Sequence, residues 1–327
     1  MKVGILGAGS MGAAHAAAWR SIDGSEIAGI FSRDGARART MAGTFGTAPA
    51  VDPHVLLDDP AVDAIDICLP SRCHAEFALA ALARGKHVFC ETPFALGIAE
   101  AEAMIAAARR ADRYLAVGLL MRAVAPYQYV REKVAAGTHG RLLSLAMHRL
   151  GSYLRPGASD HKPHYGEPSI ELMTFDFDAA AWLLGKPRRL TAAATNLAAD
   201  RPGEITALLD FGDGRQATIA ASGMLPAGFT FRTGFRALFE GGAYVLETTF
   251  DRLPPSSRFE FYPADGPPQP VALAGHDPYA WELRHFADGI AGQADRDLLA
   301  PEHALAALKL SLATQRSLRE RRTIDLV

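Results

Sequence analysis

Cysteine is scarce in this chain, and neither sign of charge is in excess. The 327 residues include three cysteines, Cys68, Cys73 and Cys90, which lack the close paired spacing of zinc and redox sites. We predict that they are reduced core residues and that the chain has no metal site. The 34 basic and 36 acidic side chains form no long run of one sign, which argues against nucleic acid as a partner.

Long apolar runs are also absent. No run reaches the roughly 20 residues that span a bilayer, so we predict no membrane partner. The opening MKVGILGAG starts a strand at once and leaves no room for the regions of a signal peptide, so we expect a cytoplasmic protein. The chain is longer than one hydrophobic core usually serves, which favours two domains.

The first third of the chain alternates strands with helices. Apolar, β-prone segments such as EIAGIFS, AIDICLP and HVFC are separated by helix-forming segments such as FALAALARG and AEAEAMIAAARRA. This alternation predicts a parallel sheet with helices on both faces. We therefore predict an α/β fold in which residues 1–120 form a doubly wound Rossmann domain.

The pattern changes after residue 120. A helix at PYQYVREKVAAG is followed by longer strands that helices no longer separate, including LLSLAMHRL, EITALLDF, RQATIAAS and AYVLETTF. Glycine turns at FGDGR and FEGGAY are typical of hairpins. Residues 121–327 are thus predicted to form an α+β domain with an open, mainly antiparallel sheet, a helix near residues 169–184 and two helices at its end.

The stretch from Gly7 to Gly12 is a GxGxxG motif that directly follows the first strand and opens the first helix. Gly7 permits a tight turn, Gly9 lets the backbone approach a pyrophosphate, and Gly12 allows close helix packing. Between them, Ser10 and Met11 begin the helix, whose free N–H groups can bind phosphate. The alternative, a glycine-rich turn without a ligand, is disfavoured by the flanking strand and helix.

The end of the second strand carries the signal for cofactor choice. Ser32 and Arg33 stand there, where proteins that bind NAD normally present an acidic residue to the ribose. A hydroxyl and a guanidinium can bind a 2′-phosphate, which a carboxylate would repel. We predict that NADP(H) is the preferred cofactor, with NAD(H) as the alternative if Arg33 is only a solvated loop residue.

Three stretches together resemble one family: GAGSMGAAH, ICLPSRCHAEFALAALARGKHVFCETPFAL and the tail from DPYAWELRHF onward. Over essentially its whole length the chain is similar to the Gfo/Idh/MocA oxidoreductases. The resemblance implies that the first domain carries NAD(P) and that the second presents a sugar, inositol or related polyol. Pro70 and His74 match a family stretch that lies along the cofactor, Glu91 and Thr92 fall in its GKHVLCEKP stretch, and His15 is expected to pack near the cofactor.

The chain departs from the family pattern at two chemical positions. Thr92 stands where the resemblance implies a lysine that binds the substrate oxygen and the nicotinamide ribose. In the second signature, an Asp and a His spaced by three residues are replaced by Glu171 and Phe175. A phenylalanine cannot accept or donate a proton, so another group must do so, and such a group is ordinarily worth about 10²- to 10⁴-fold in rate.

Candidates for that group are Thr92, Tyr165, Glu171 and Asp176. Each residue alone could equally be a structural or solvated polar group. Because the lysine is missing while several acids fall nearby in the sequence, we expect a neutral polyol or an amino sugar rather than a sugar phosphate or sugar acid.

Three functions remain open at this point. The first is an NADP(H)-dependent oxidoreductase acting on a secondary alcohol or ketone of a sugar-like molecule. The second is a redox-neutral enzyme in which transient oxidation permits elimination, epimerisation or glycoside cleavage, and the third is a non-catalytic NADP(H)-binding protein. The second domain's strands have apolar residues on a second face of the sheet, and the resemblance implies a sheet that packs against its copy in another subunit. We therefore predict a homodimer or homotetramer.

Overall fold

The computed structural model describes residues 1–155, 167–198, 201–252 and 254–326. These residues form two compact units. The first unit contains Met1–Ala123 and Gly275–Leu308, and the second contains Val124–Ala274 and Lys309–Val327.

The first unit is built on a parallel sheet. Its strands are β1 (Lys2–Leu6), β2 (Glu26–Phe31), β3 (Ala48–Ala50), β4 (Ala64–Ile67), β5 (His87–Cys90) and β6 (Leu115–Val117). Its first five helices are α1 (Ser10–Arg20), α2 (Gly35–Phe45), α3 (His54–Leu57), α4 (His74–Ala83) and α5 (Ile98–Ala111). The strand order is β3-β2-β1-β4-β5-β6, which is the Rossmann order and confirms the predicted fold of this part.

The central strands of this sheet are buried on both faces. Ile5 in β1 and Ile65 in β4 are fully buried. This is expected because helices cover both faces of a parallel sheet, so its central strands consist almost entirely of apolar residues. All six strands run the same way, so their carboxyl ends meet at one edge. In open α/β sheets ligands bind at that edge, where the order reverses between β1 and β4.

The second unit is built on a nine-stranded sheet. Its elements begin with α6 (Ala125–Ala136), β7 (Leu142–Leu150), α7 (Pro168–Glu171), α8 (Met173–Leu184), β8 (Arg189–Ala198), β9 (Arg201–Asp210) and β10 (Gln216–Ser222). They continue with β11 (Arg232–Phe239), β12 (Gly242–Thr249), β13 (Ser256–Pro263) and β14 (Gln269–Pro270). The chain ends with α9 (Pro278–Ile290), α10 (Pro301–Glu320) and β15 (Ile324–Asp325). Of these, α9 belongs to the first unit, and the residues of α10 are divided between the two units.

This sheet has the order β14-β13-β12-β11-β7-β10-β9-β8-β15. Neighbouring strands pair antiparallel except β7 and β10, which pair parallel. Its side chains alternate between two faces. Met147, Ile219 and Phe235 lie on the buried face, which helix α8 covers. The prediction of an open, mainly antiparallel sheet is confirmed.

The tail of the chain is divided differently from the predicted domains 1–120 and 121–327. Helix α9 belongs to the first unit, where Phe286 packs edge-to-face on Trp19 of α1 with ring centroids 6.3 Å apart. Local patterns cannot show this, because the packing joins residues from opposite ends of the chain. Within the residues that the structure describes, we find no helix long and apolar enough to cross a membrane.

Candidate functional site

The glycine turn between β1 and α1 has one position with room for a ligand. A Cβ added to Gly7, whose φ is +129°, would lie 2.4 Å from the carbonyl oxygen of Cys68. One added to Gly12 would lie 1.9 Å from the carbonyl oxygen of Gly7, which forces glycine at both positions. At Gly9 an added Cβ would meet nothing within 4 Å. Gly9 therefore faces open space, as a backbone that approaches a diphosphate must.

The start of helix α1 offers hydrogen-bond donors to that space. Gly9 is the residue before the helix, and no side chain caps this end. The first N–H groups of a helix have no partner within it, so those at Ser10 and Met11 can bind an anion. The geometry fits the diphosphate of a dinucleotide.

The end of β2 is followed by an exposed arginine and by an aspartate whose carboxylate accepts hydrogen bonds from the next helix. Arg33 is exposed, and the hydroxyl of Ser32 accepts the N–H of Asp34 at 3.2 Å. The sequence analysis did not consider Asp34, whose carboxylate caps helix α2 by accepting the N–H groups of Ala36 and Arg37. An Asp before a helix is a recognisable cap signal. Because this acid is used by the helix, the prediction that Ser32 and Arg33 bind the cofactor does not have to include Asp34.

His74 joins two loops at the same edge of the sheet. It starts α4, four residues after Pro70, which precedes a short 3-10 turn. Its ring is buried, with Nδ1 2.9 Å from the Pro93 carbonyl oxygen and Nε2 2.7 Å from that of Leu69. Burial lowers the pKa of His74. The ring ties the loop after β4 to the loop after β5, so its contribution to a cofactor site is to hold these loops.

Thr92 lies in the loop after β5, joined to Pro93 by a cis peptide bond. Its hydroxyl donates to the carbonyl oxygen of Gly118 at 2.8 Å, and its N–H donates to the carboxylate of Glu91 at 2.9 Å. Unlike the lysine that it replaces in the resemblance, Thr92 carries no charge, and its one proton is used by the backbone. Donating a proton to a substrate would require this hydroxyl to give up that bond, whereas its oxygen lone pairs can still accept a hydrogen bond.

A buried ion network stands behind this loop. His15 of α1 is fully buried, with Nδ1 3.0 Å from both carboxylate oxygens of Asp66 in β4. The indole N–H of Trp19 donates to the same carboxylate at 2.7 Å. On its other side, His15 Nε2 lies 2.7 Å from an oxygen of Glu91, without the alignment of a hydrogen bond. Burial lowers the pKa of His15, but the Asp66 carboxylate outweighs this effect, so the pKa lies well above its ordinary value.

Helix α9 adds a third acid that the sequence analysis missed. Glu282 is fully buried, and neither of its carboxylate oxygens has a hydrogen-bond partner in the described structure. Burial raises its pKa well above the ordinary value, and the charge of Glu91 raises it further. The signal was present in PYAWELRHF, since Glu282 shares a helical face with Leu283 and Phe286, both buried.

The spacing in this network bears on the prediction that no metal binds. Ligand-type atoms of His15, Glu91 and Glu282 all lie within 4.8 Å of one another, as do those of His15, Asp66 and Cys68. Such distances could be bridged by a small cation. The absence of a metal site therefore stays a prediction.

In the second unit, Asp176 is bound to a buried arginine. Arg149 of β7 donates through Nε and Nη2 to the two carboxylate oxygens of Asp176, each at 3.0 Å. Burial raises the pKa of Asp176, and the Arg149 guanidinium opposes this shift. The guanidinium also lies over the ring of Phe175, 4.7 Å from its centroid. Both carboxylate oxygens of Asp176 thus accept hydrogen bonds from Arg149. The predicted catalytic role of Asp176 would require at least one of these bonds to break.

Of the other two predicted catalytic residues, the structure describes Glu171. Glu171 is buried at the end of α7, and Leu172 separates it from α8, which carries Phe175 and Asp176. The predicted single helix at residues 169–184 is therefore two helices. Tyr165 lies outside the described residues. Thr92 belongs to the first unit, whereas Glu171 and Asp176 belong to the second.

Comparison with protein families gives two matches. A model described as the oxidoreductase family, NAD-binding Rossmann fold, matches residues 1–119. A model of the GFO/IDH/MocA C-terminal domain matches residues 127–245. Together these cover more than half of the chain.

Curated relatives include inositol dehydrogenases. Myo-inositol 2-dehydrogenase of Thermotoga maritima is 31% identical over 57% of this chain and 55% of the relative. Inositol 2-dehydrogenase 4 of Saccharopolyspora erythraea is 32% identical over 74% of this chain and 72% of the relative. For several relatives the match is shorter, and the chain covers only about half of their length or less.

A solved structure gives the same likeness over almost the full length. The UDP-N-acetylglucosamine 3-dehydrogenase of Acidithiobacillus ferrooxidans superposes with a TM-score of 0.83, at 26% identity and covering 98% of both chains. The similarity therefore extends through both units.

Proposed function

Because the chain belongs to the Gfo/Idh/MocA family of oxidoreductases, we propose that it uses NADP(H) to interconvert a secondary alcohol and a ketone on a sugar, amino sugar, inositol or similar polyol. The observation that carries the proposal is the glycine turn. It leaves open space at Gly9 beside an uncapped helix start, and it closes Gly7 and Gly12 against the protein's own backbone. The inositol and amino-sugar dehydrogenases among the relatives support the substrate class.

In this proposal the first unit holds the cofactor. Gly7, Gly9, Ser10, Met11 and Gly12 surround the diphosphate, and the two residues after β2, Ser32 and Arg33, bind the 2′-phosphate. The two loops after β4 and β5, which carry Pro70, His74, Glu91 and Thr92, line the path toward the nicotinamide. When bound, the nicotinamide would accept or supply the hydride.

The alcohol proton requires a group that the family pattern does not supply here. Thr92, Tyr165, Glu171 and Asp176 stay the candidates. Of these, Thr92 and Asp176 already use their polar atoms, on Gly118 and Arg149 respectively. The pairing of Asp176 with Arg149 also leaves less net negative charge than the acids alone suggest, which favours a neutral polyol over a cationic amino sugar.

The test is turnover with a panel of inositols, hexoses, amino sugars and their keto forms. Absorbance at the NADPH band should change in proportion to product with at least one of them, and calorimetry should show binding of NADP(H). A protein that binds neither pyridine nucleotide would contradict the proposal. Tight binding of a sugar phosphate would contradict the expected substrate charge.

Phe175 favours two alternative functions, a redox-neutral enzyme and a non-catalytic binding protein. Its ring packs against Arg149 and offers no proton-transfer group at a position where the family carries one. A redox-neutral enzyme would convert substrate with no net change in NADPH, and a non-catalytic binding protein would bind the cofactor without converting any substrate. Product analysis beside the absorbance measurement separates the two.

A further inference from the structure

Three buried side chains from three elements meet in the first unit. Asp66 comes from β4, His15 from the middle of α1, and Glu91 from the residue that follows β5. The His15 ring is 3.0 Å from Asp66 on one side and 2.7 Å from Glu91 on the other. Trp19 fixes the Asp66 carboxylate from one turn further along α1.

Each end of this network leads to a part of the proposed cofactor site. His15 stands on the same rigid helix whose first residue, Ser10, follows the open Gly9. Glu91 accepts the N–H of Thr92 with its second carboxylate oxygen, at 2.9 Å. One imidazole therefore lies between the helix that would hold the diphosphate and the loop that would meet the nicotinamide.

We propose that His15 is a positioning residue, which holds the Thr92 loop in place relative to the start of α1 that would bind the diphosphate. Asp66 orients the His15 ring. Glu91 contacts the ring with one carboxylate oxygen and accepts the N–H of Thr92 with the other, and so links His15 to the loop. This rests on the proposed function, because it assigns the two ends of one dinucleotide to these two elements.

The charges of the surrounding groups explain why an imidazolium is suited to this place. Asp66 and Glu91 are both buried, and a buried charge is costly unless it is paired. One protonated ring places its positive charge within 3.0 Å of both acids, and its contact with Asp66 is also a hydrogen bond. Glu282 of α9 has a carboxylate oxygen within 4.8 Å of the same ring, and among the described residues neither of its oxygens has a hydrogen-bond partner, which favours its neutral form.

The remaining neighbours of the ring are neutral. Cys68, after β4, lies with its sulfur 3.3 Å from His15 Nδ1, and burial raises the pKa of its thiol. Tyr279 of α9 and Phe89 of β5 pack on the ring, each with centroids 5.7 Å from it, and burial raises the pKa of Tyr279 too. A core that needed only packing could fill this space with apolar side chains, which are often as stabilising as a buried ion network.

The test compares two ligands on His15→Gln and Glu91→Gln variants. One ligand is NADPH, and the other is 2′-phospho-ADP-ribose, which lacks the nicotinamide. We expect the dissociation constant for NADPH to rise by about tenfold or more, since a loop displaced by about 1 Å loses its contacts, while that for the fragment stays within about twofold. His54→Gln, an exposed histidine of the same unit, is the matched control and should change neither constant.

Equal weakening of both ligands, or no change in either, would overturn the positioning role while leaving the proposed function intact. Failure of the wild-type protein to bind NADPH would instead overturn the proposed function, and the inference with it. If these variants do not fold, Trp19→Phe takes their place, because it removes the donor that fixes the Asp66 carboxylate, and it should give the same split between the two ligands. Stoichiometric metal in the purified protein would contradict the proposal.

Discussion

At the residue scale, Arg33 should decide which nicotinamide cofactor binds. Arg33 is exposed after β2, while the nearby carboxylate of Asp34 is used to cap α2. Hydrogen bonds to charged groups contribute about 1.5–3 kcal/mol. Arg33→Ala should therefore weaken NADPH by about 10- to 150-fold and leave NADH nearly unchanged, measured by fluorescence titration.

A matched control for this variant is Arg110→Ala, an exposed arginine on α5 of the same unit. It should leave both affinities at the wild-type level. If wild-type protein binds NADH as tightly as NADPH, the role of Arg33 as a 2′-phosphate ligand is wrong.

Asp176 should prove structural when it is neutralised. Asp176→Asn would leave the Arg149 guanidinium buried without its carboxylate partner, and breaking a buried pair in this way costs about 3–5 kcal/mol. Urea denaturation should show that loss. Asp210→Asn removes the charge of a half-buried carboxylate that pairs with the exposed Arg189, and should change stability little. An Asp176→Asn protein with wild-type stability and no turnover would instead favour a catalytic role.

Single positions were predictable where the requirement is local. The glycines at 7, 9 and 12 follow from a fixed spacing at a strand-to-helix turn; the structure gives a steric reason for glycine at Gly7 and Gly12 and shows open space at Gly9. The pairing of His15 with Asp66 joins residues 51 positions apart, so no local pattern reveals it. The same holds for Arg149 and Asp176, which come from a strand and a helix.

At the scale of elements, periodicity predicted most of the strands and helices, because a parallel strand between helix layers and a half-covered antiparallel strand each leave a distinct apolar pattern. Periodicity could not predict where a helix is interrupted or which non-consecutive strands pair. The chain interrupts the expected helix at Leu172, and β7 pairs with the non-consecutive β10. Both depend on contacts with other elements rather than on the segment itself.

Helix α9 should make the stability of the protein depend on pH through Glu282. The raised pKa means that the folded chain keeps this proton while the unfolded chain releases it above about pH 4.3. Stability is then fully present below that pH and falls as pH rises toward the folded pKa, by about 1.4 kcal/mol per pH unit for one group.

Glu282→Gln should remove this dependence, because the amide resembles the neutral acid in shape. Between about pH 5 and 6.5, where the raised pKa of His15 does not yet contribute, the variant should gain stability relative to wild type as pH rises. The measurement is the free energy of unfolding in urea at several pH values, with the exposed Glu132→Gln as control. Parallel curves for wild type and Glu282→Gln would show that Glu282 is ionised in the folded protein.

At the scale of the whole molecule, the division into units follows packing rather than chain order. The first unit is completed by residues 275–308, which the predicted boundary at residue 120 assigned elsewhere. The aromatic contact of Phe286 with Trp19 shows why, since α9 packs on α1 although the two helices are far apart in the chain. Sequence alone gave both folds correctly, since each depends on repeated local units, but it could not assign a single returning helix.

The open face of the nine-stranded sheet should hold the protein in an oligomer. Leu208, Leu238 and Tyr262 lie on that face by strand register, opposite the buried residues, and are 42%, 39% and 37% exposed. Exposed apolar groups on three separate strands favour burial against a second copy of the same face. We expect a homodimer or homotetramer by sedimentation velocity at micromolar concentration.

Introducing charge on that face should separate the copies. Leu238→Glu places a carboxylate where two apolar faces would meet, and a buried unpaired charge is strongly unfavourable, so the variant should sediment as a monomer. Val51→Glu adds the same charge at an exposed apolar position of the first unit and should leave the oligomer intact. Because Leu238 points away from the core of its own unit, the monomer should keep its fold by circular dichroism. A wild-type protein that already sediments as a monomer would show that this face stays open to solvent, and the apolar side chains would then need another explanation.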